Sequence, residues 1–123
     1  MPRSSATSHE LARIELLAGL PGQTLAQLAK RMEREEVAPG GVLIREDEPG
    51  DRFFVVFAGM LSVSQGSRGH MGVLRPGDYF GEVALAMDVP RTATVAAITP
   101  AVVASCDRET FDELLRPLFA DDD

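Results

Sequence analysis

Two side chains of opposite charge, Glu82 and Arg91, stand nine positions apart in the run FGEVALAMDVPRTATV at residues 80–95, where Asp88 is the only other charge. A planar, permanently charged guanidinium meets two phosphate oxygens at once, and Pro90 stiffens the chain just before it. Glu82 cannot serve the same anion, since both are negative. A carboxylate beside an anion site is suited instead to accept hydrogen bonds from sugar hydroxyls. Between the two, GEVALAM places helix formers behind a glycine, which predicts one helical turn whose free N–H groups and positive dipole end suit a phosphate. Small residues at Gly81 and Ala84 let a ligand approach that backbone closely. Together these features describe a receptor for a ribose phosphate.

Such a helix has to be held by a sheet, and the surrounding chain supplies strands. From Val37 onward, apolar runs of four to six residues alternate with Gly, Pro and Asp signals. Strands are expected at residues 42–44, 53–57, 61–64, 71–74, 94–98 and 101–106, separated by EPGD, AG, QGSRG, RPGD and TP. The tight connections favour an antiparallel β-barrel, jelly-roll-like, of short strands, so the expected class is α+β. Two N-terminal helices precede it. TSHE at residues 7–10 reads as a capping box, after which Leu11, Ile14 and Ala18 share a face. Leu25, Leu28, Ala29 and Met32 form the apolar stripe of the second helix, whose charged end at residues 31–36 reads as solvated. After the strands, Asp107 can cap a C-terminal helix through Phe111, Leu114 and Leu115, ended by Pro117, and the acidic tail DDD is expected to fray.

Composition narrows the function. The 123 residues suit one domain, 1–123, with its core at about 16–119, and 45% hydrophobic with 25% charged residues is the mix of a soluble globular chain. No run approaches the roughly 18–20 apolar residues of a membrane span, so no membrane insertion is expected. MPRSSATSHE has no apolar stretch of the kind a secretory signal needs, which favours the cytoplasm. A net charge of −7, with eleven arginines and one lysine scattered along the chain, speaks against nucleic acid as a partner. Any anionic ligand must be held by local chemistry. The lone Cys106, in AVVASC, reads as an inert core thiol. His9 and His70 lack ligand partners at metal spacing, and Glu46 to Glu48 lack the spacing of a calcium loop, so neither metal nor cofactor is expected. Nothing resembles a nucleophile elbow, and no catalytic residue is assigned.

The run at residues 80–95 also resembles the phosphate-binding cassette of cyclic nucleotide-binding domains, the family of the catabolite activator protein, protein kinase regulatory subunits and nucleotide-gated channels. FGE, the AL that follows, the step from Glu82 to Arg91 and PR-x-ATV all match. The likeness extends through AGLP, PGGVLIRE, PGD, GMLSV and RPGDYFGE, and so covers residues 16–119. It implies a sensor for cAMP or cGMP that couples occupancy to movement of flanking helices, with a protein effector in trans or in a longer chain. By the same resemblance Arg91 pairs with the cyclic phosphate. Glu82, helped by the Gly81 N–H, holds the ribose 2′-hydroxyl, and N–H groups near Val83, Ala84 and Thr92 complete the cradle. Val63 and Leu74 are candidates for the pocket around the base. The Thr92 hydroxyl can reach the 2-amino group of guanine, which permits cGMP without excluding cAMP. A lid helix over the base is expected to be short or absent, with Leu114, Leu115, Leu118 and Phe119 forming a mobile segment. Two other readings remain open: a nucleotide-free domain of the same fold used for docking or dimerisation, and a phosphodiesterase, which would need a metal cluster or general base. Outside the cassette pattern, Glu82 and Arg91 would read as a buried ion pair or as two surface side chains.

Overall fold

The computed structural model describes residues 4–119; the tail at 121–123 lies outside the described residues. The expected strands form, but they do not close into a barrel. They make two open antiparallel sheets. The first contains β1 (Ser4–Ser5), β2 (Glu33–Val37), β4 (Arg52–Ala58), β7 (Tyr79–Phe80) and β9 (Ala101–Asp107), in the order β1-β2-β9-β4-β7. The second contains β3 (Val42–Ile44), β5 (Leu61–Gln65), β6 (Gly69–Leu74) and β8 (Thr94–Ala97), in the order β3-β8-β5-β6.

The first sheet is the middle layer, and its period-two side chains serve two cores. On β4, Phe53 and Val55 join the core on the helical side, while Phe54 and Val56 join the core between the sheets. On β9, Ala104 and Cys106 face the helices and Ala101 and Val103 face the second sheet. A strand buried on both faces reads as a continuous apolar run, which is why RFFVVFA and AVVASC stand out. Burial pushes the Cys106 thiol up to about 12, the state of an inert core residue.

Three helices rather than two lie between β1 and β2: α1 (Ser8–Leu11), α2 (Glu15–Ala18) and α3 (Gly22–Arg31). The capping box at Thr7 and Glu10 forms as expected. The first helix breaks at Ile14, which turns extended at φ −85°, ψ 117° and buries its side chain. In α3, Leu25, Leu28 and Ala29 are buried, and Lys30 and Arg31 fall in the last turn, favourable for the helix dipole. The charged residues 31–36 are not a solvated helix end. Met32 is extended, and Glu33–Val37 forms β2, paired with β9 from Glu33↔Ser105 to Val37↔Ala101. Backbone pairing and the ion pairs Arg34–Glu10 (3.2 Å) and Arg52–Glu33 (3.1 Å) hold this polar strand.

At the other end, Asp107 accepts the Thr110 N–H and caps α5 (Arg108–Thr110). That bond is the first cause holding the Asp107 carboxyl below its usual range. The helix continues as a π turn (Phe111–Leu115) and a 3-10 turn (Arg116–Phe119), which contains Pro117. Leu115 is fully buried, and Phe119 packs on Phe53, Tyr79 and Phe111 with ring centroids 5.5–5.9 Å apart. In this state, part of the segment expected to be mobile is therefore docked on the helical-side core, with Leu118 exposed.

Candidate functional site

The helix predicted from GEVALAM is α4 (Glu82–Met87). It begins at Gly81, whose φ of 93° a side chain would strain, and a β-carbon there would lie 2.8 Å from the Arg52 carbonyl oxygen. Phe80, just before it, stacks on Phe54 with centroids 4.7 Å apart and planes 1° from parallel, which fixes where the helix starts. The helix ends at Asp88 in the left-handed conformation, φ 54°. Ala84 and Leu85 are buried, whereas Val83 and Met87 are exposed.

Arg91 is 6% exposed. Its Nη1 donates to the Gly81 carbonyl at 3.0 Å and its Nη2 to the Arg52 carbonyl at 2.9 Å. Main-chain bonds from Arg91 N to Glu48 O (2.9 Å) and from Asp47 N to Arg91 O (2.8 Å) pin its backbone to the turn at residues 46–48. Among the described residues no carboxylate lies within 4.0 Å of its guanidinium. The buried ion pair is thus not formed: two carbonyl dipoles hold the guanidinium, and the charges of Asp51 and Glu82 act on it only from beyond contact distance. Burial draws its pKa down, opposed by Asp51 and then Glu82, but an arginine stays charged. Burial likewise raises the Glu82 pKa, against the N–H groups of Glu82 and Val83 and then the charge of Arg91.

All six residues singled out in the sequence, Gly81, Glu82, Val83, Ala84, Arg91 and Thr92, line one pocket of about 190 Å³. Val63 and Leu74 line it too, although they are not cross-strand partners: Val63 pairs with Gly72 and Val95, and Leu74 with Leu61. Sequence reasoning missed Ile44, Phe80, Ala93 and Val95 in the wall. Val95, on β8, is the cross-strand partner of Val63, and Ala93 sits in the bend just before that strand. Sequence reasoning also missed Gly50, whose α-carbon backs Arg91: a β-carbon there would meet Arg91 Nε at 2.5 Å. Size does not select this pocket. A hollow of about 570 Å³ lined by Glu15, Leu16, Leu74, Gly77, Asp78 and Tyr79 has no cation in its wall. The smaller pocket combines a buried cation, a helix start, one carboxylate and an apolar wall. His9 and His70 are exposed, and the described residues contain no group of three or more His, Cys, Asp or Glu placed to hold a metal.

The two-sheet sandwich thus carries a short helix and a buried arginine at one pocket, a combination suited to a small anionic ligand. The chain belongs to the cyclic nucleotide-binding domain family, whose model matches residues 34–117. It is 39% identical over 109 residues to a cAMP-dependent protein kinase regulatory subunit of Yarrowia lipolytica, covering 88% of this chain and 29% of that protein. It is 34% identical over 124 residues to the cGMP-dependent protein kinase egl-4 of Caenorhabditis briggsae, covering 96% of this chain and 17% of that one. The regulatory domain of Toxoplasma gondii protein kinase A, solved with cAMP, superposes with a TM-score of 0.84 at 28% identity, over 90% of this chain and 44% of that chain. The chain therefore spans less than a third of either curated relative. No helix among the described residues is long and apolar enough to cross a membrane.

Proposed function

We propose that the pocket at α4 binds a 3′,5′-cyclic nucleotide, cAMP or cGMP, and that residues 16–119 act as one regulatory domain without catalysis of its own. Arg91 carries the reading. A buried guanidinium with carbonyl partners and no carboxylate is costly in isolation, and a phosphate supplies the counter-charge. In this arrangement Arg91 meets the cyclic phosphate, together with the N–H groups of Val83, Ala84 and Thr92. Glu82 and the Gly81 N–H hold the ribose 2′-hydroxyl, and Val63 and Leu74 pack on the base. Occupancy is relayed through the C-terminal helix to a protein effector, a kinase catalytic part in another chain or in a longer one.

Calorimetric titration of the chain, stripped of bound ligand, with cAMP, cGMP and 5′-AMP tests the reading. Saturable binding of at least one cyclic nucleotide, stronger than that of 5′-AMP, is expected. No binding of either cyclic nucleotide would leave the nucleotide-free docking module as the function.

A further inference from the structure

Arg91 is one of three arginines that converge on α4, and the other two come from the C-terminal segment. Arg108, the first residue of α5, donates from Nη1 to the Leu85 carbonyl (3.4 Å) and from Nη2 to the Gly50 carbonyl (3.3 Å). It also lies 3.6 Å from the exposed Asp88 carboxylate. Arg116 donates from Nη2 to the same Leu85 carbonyl (3.0 Å) and from Nη1 to the Ala86 carbonyl (3.3 Å). Its own geometry is fixed by Asp112 at 2.6 Å and by the Phe111 ring, 5.8 Å from the guanidinium carbon.

The last carbonyls of a helix have no partners within it, and cations are favoured there. A six-residue helix is too short to be stable alone, so its position is set by what grips its ends. Ala84 and Leu85 anchor α4 by burial, with Ala86 partly packed against the same helical-side core as Leu85. Its N-terminal end forms the pocket, and its C-terminal end is held by two guanidinium groups borne on one segment. Arg108 reaches further, because Gly50 is the residue against which the Arg91 side chain lies.

We propose that Arg108 and Arg116 are positioning residues that bind the C-terminal segment to both α4 and the Gly50 turn, so that the pocket and residues 108–119 move as one unit. This deepens the proposed function by naming the groups through which the pocket is read, and the ligand-free half of its test does not depend on that function.

The experiment is hydrogen exchange by mass spectrometry on the full chain, comparing the parent with the Arg108→Gln/Arg116→Gln variant. Without ligand, peptides over 82–90 and 48–52 should exchange about tenfold faster in the variant, the loss of a few weak bonds, while those of β4 and β9 stay unchanged. A role confined to general stability would instead speed exchange throughout, and that result, or no change at 82–90, overturns the proposal. With saturating cAMP, protection in the parent should extend to 108–119, whereas in the variant it should remain at 82–90 and no longer reach that segment. Protection of 108–119 that survives in the variant also overturns it. If the parent binds no cyclic nucleotide, the proposed function fails and the ligand-free comparison alone decides the clamp. Should the Gln variant fail to fold, Arg108→Lys/Arg116→Lys, which keeps both charges but cannot span two carbonyls, is read in the same way.

Discussion

Replacing Gly50 by alanine probes the slot that aims Arg91. The new β-carbon would stand 2.5 Å from Arg91 Nε and 2.7 Å from its Cδ and Cζ, where atoms in ordinary contact keep about 3.5 Å. Gly50 is not in the left-handed region, so alanine strains no backbone and the effect falls on the arginine. The guanidinium must shift by about 1 Å to restore contact distance, which draws it off the Gly81 carbonyl at 3.0 Å and the Arg52 carbonyl at 2.9 Å. Hydrogen bonds from a charged donor are worth about 1.5–3 kcal/mol each. Alanine returns about 0.4–1 kcal/mol by stiffening the unfolded chain. With one bond lost and the other bent, the net destabilisation is about 1–2 kcal/mol, a fall of about 4–10 °C in Tm. A displaced guanidinium no longer meets two phosphate oxygens, so cAMP should bind about 10- to 100-fold more weakly. Calorimetry gives the affinity and a thermal melt gives the stability. In an Arg91→Ala background the clash is gone, and the same Gly50→Ala change should be neutral or stabilising. Parent-like affinity for Gly50→Ala in the otherwise unchanged chain would refute the slot.

Arg91→Ala should weaken cyclic nucleotide binding by about 3 kcal/mol or more, since it removes a bidentate charge-assisted contact, and Arg91→Lys should restore only part; a titration that finds the alanine variant equal to the parent sinks the anion site. Glu82→Gln should cost less and depend on the ribose, so that 2′-deoxy-cAMP binds parent and variant almost equally; an undiminished loss with the deoxy ligand removes Glu82 from the 2′-hydroxyl. Because burial raises the Glu82 pKa in the ligand-free fold, the stability owed to its protonation is fully present below the unfolded carboxylate value of about 4.3 and is lost as pH rises through the folded value. Melts from pH 4 to 8 should therefore show a declining contribution that Glu82→Gln abolishes, with the variant the more stable near neutrality, and parallel profiles would count against that burial. Thr92→Ala should lower cGMP affinity by about tenfold at most and leave cAMP nearly unchanged; equal losses in a competition assay would assign the hydroxyl to the phosphate.

What could be read from the sequence followed from how local the physics is. The cassette is contiguous, so the residue types marked Gly81, Glu82, Ala84 and Arg91, the family resemblance added Val83 and Thr92, and the fold brings all six to one pocket. The strands at 52–58 and 101–107 were legible because they are buried on both faces. Strand β2 was not: EREEV has no apolar alternation, and what holds it is pairing with β9 some seventy residues away and ion pairs to Glu10 and Arg52. Whether the strands close into a barrel depends on which edges pair, and register across such distances is invisible to a pattern of period two. Gly50 belonged to a readable PGD turn, but its second role, lying against Arg91, arises from a contact across 41 positions. Arg108 and Arg116 leave no signal in the sequence, because their partners are backbone carbonyls, which every residue carries alike.

The placement of charge explains why the site needs so much fold around it. A carboxylate bonded to Arg91 would satisfy the cation and compete with the phosphate proposed for this site. The fold instead offers two carbonyl oxygens, enough to orient the guanidinium and too little to neutralise it. Such a group persists only when the surrounding packing over-determines its position. Here Arg52 and Phe54 lie on β4, in the middle sheet, and the stack of Phe54 on Phe80 sets the residue from which Gly81 turns its carbonyl toward Arg91. The cost of a buried cation with no carboxylate in contact therefore falls on the core between the sheets, to which Phe54 and Phe80 belong.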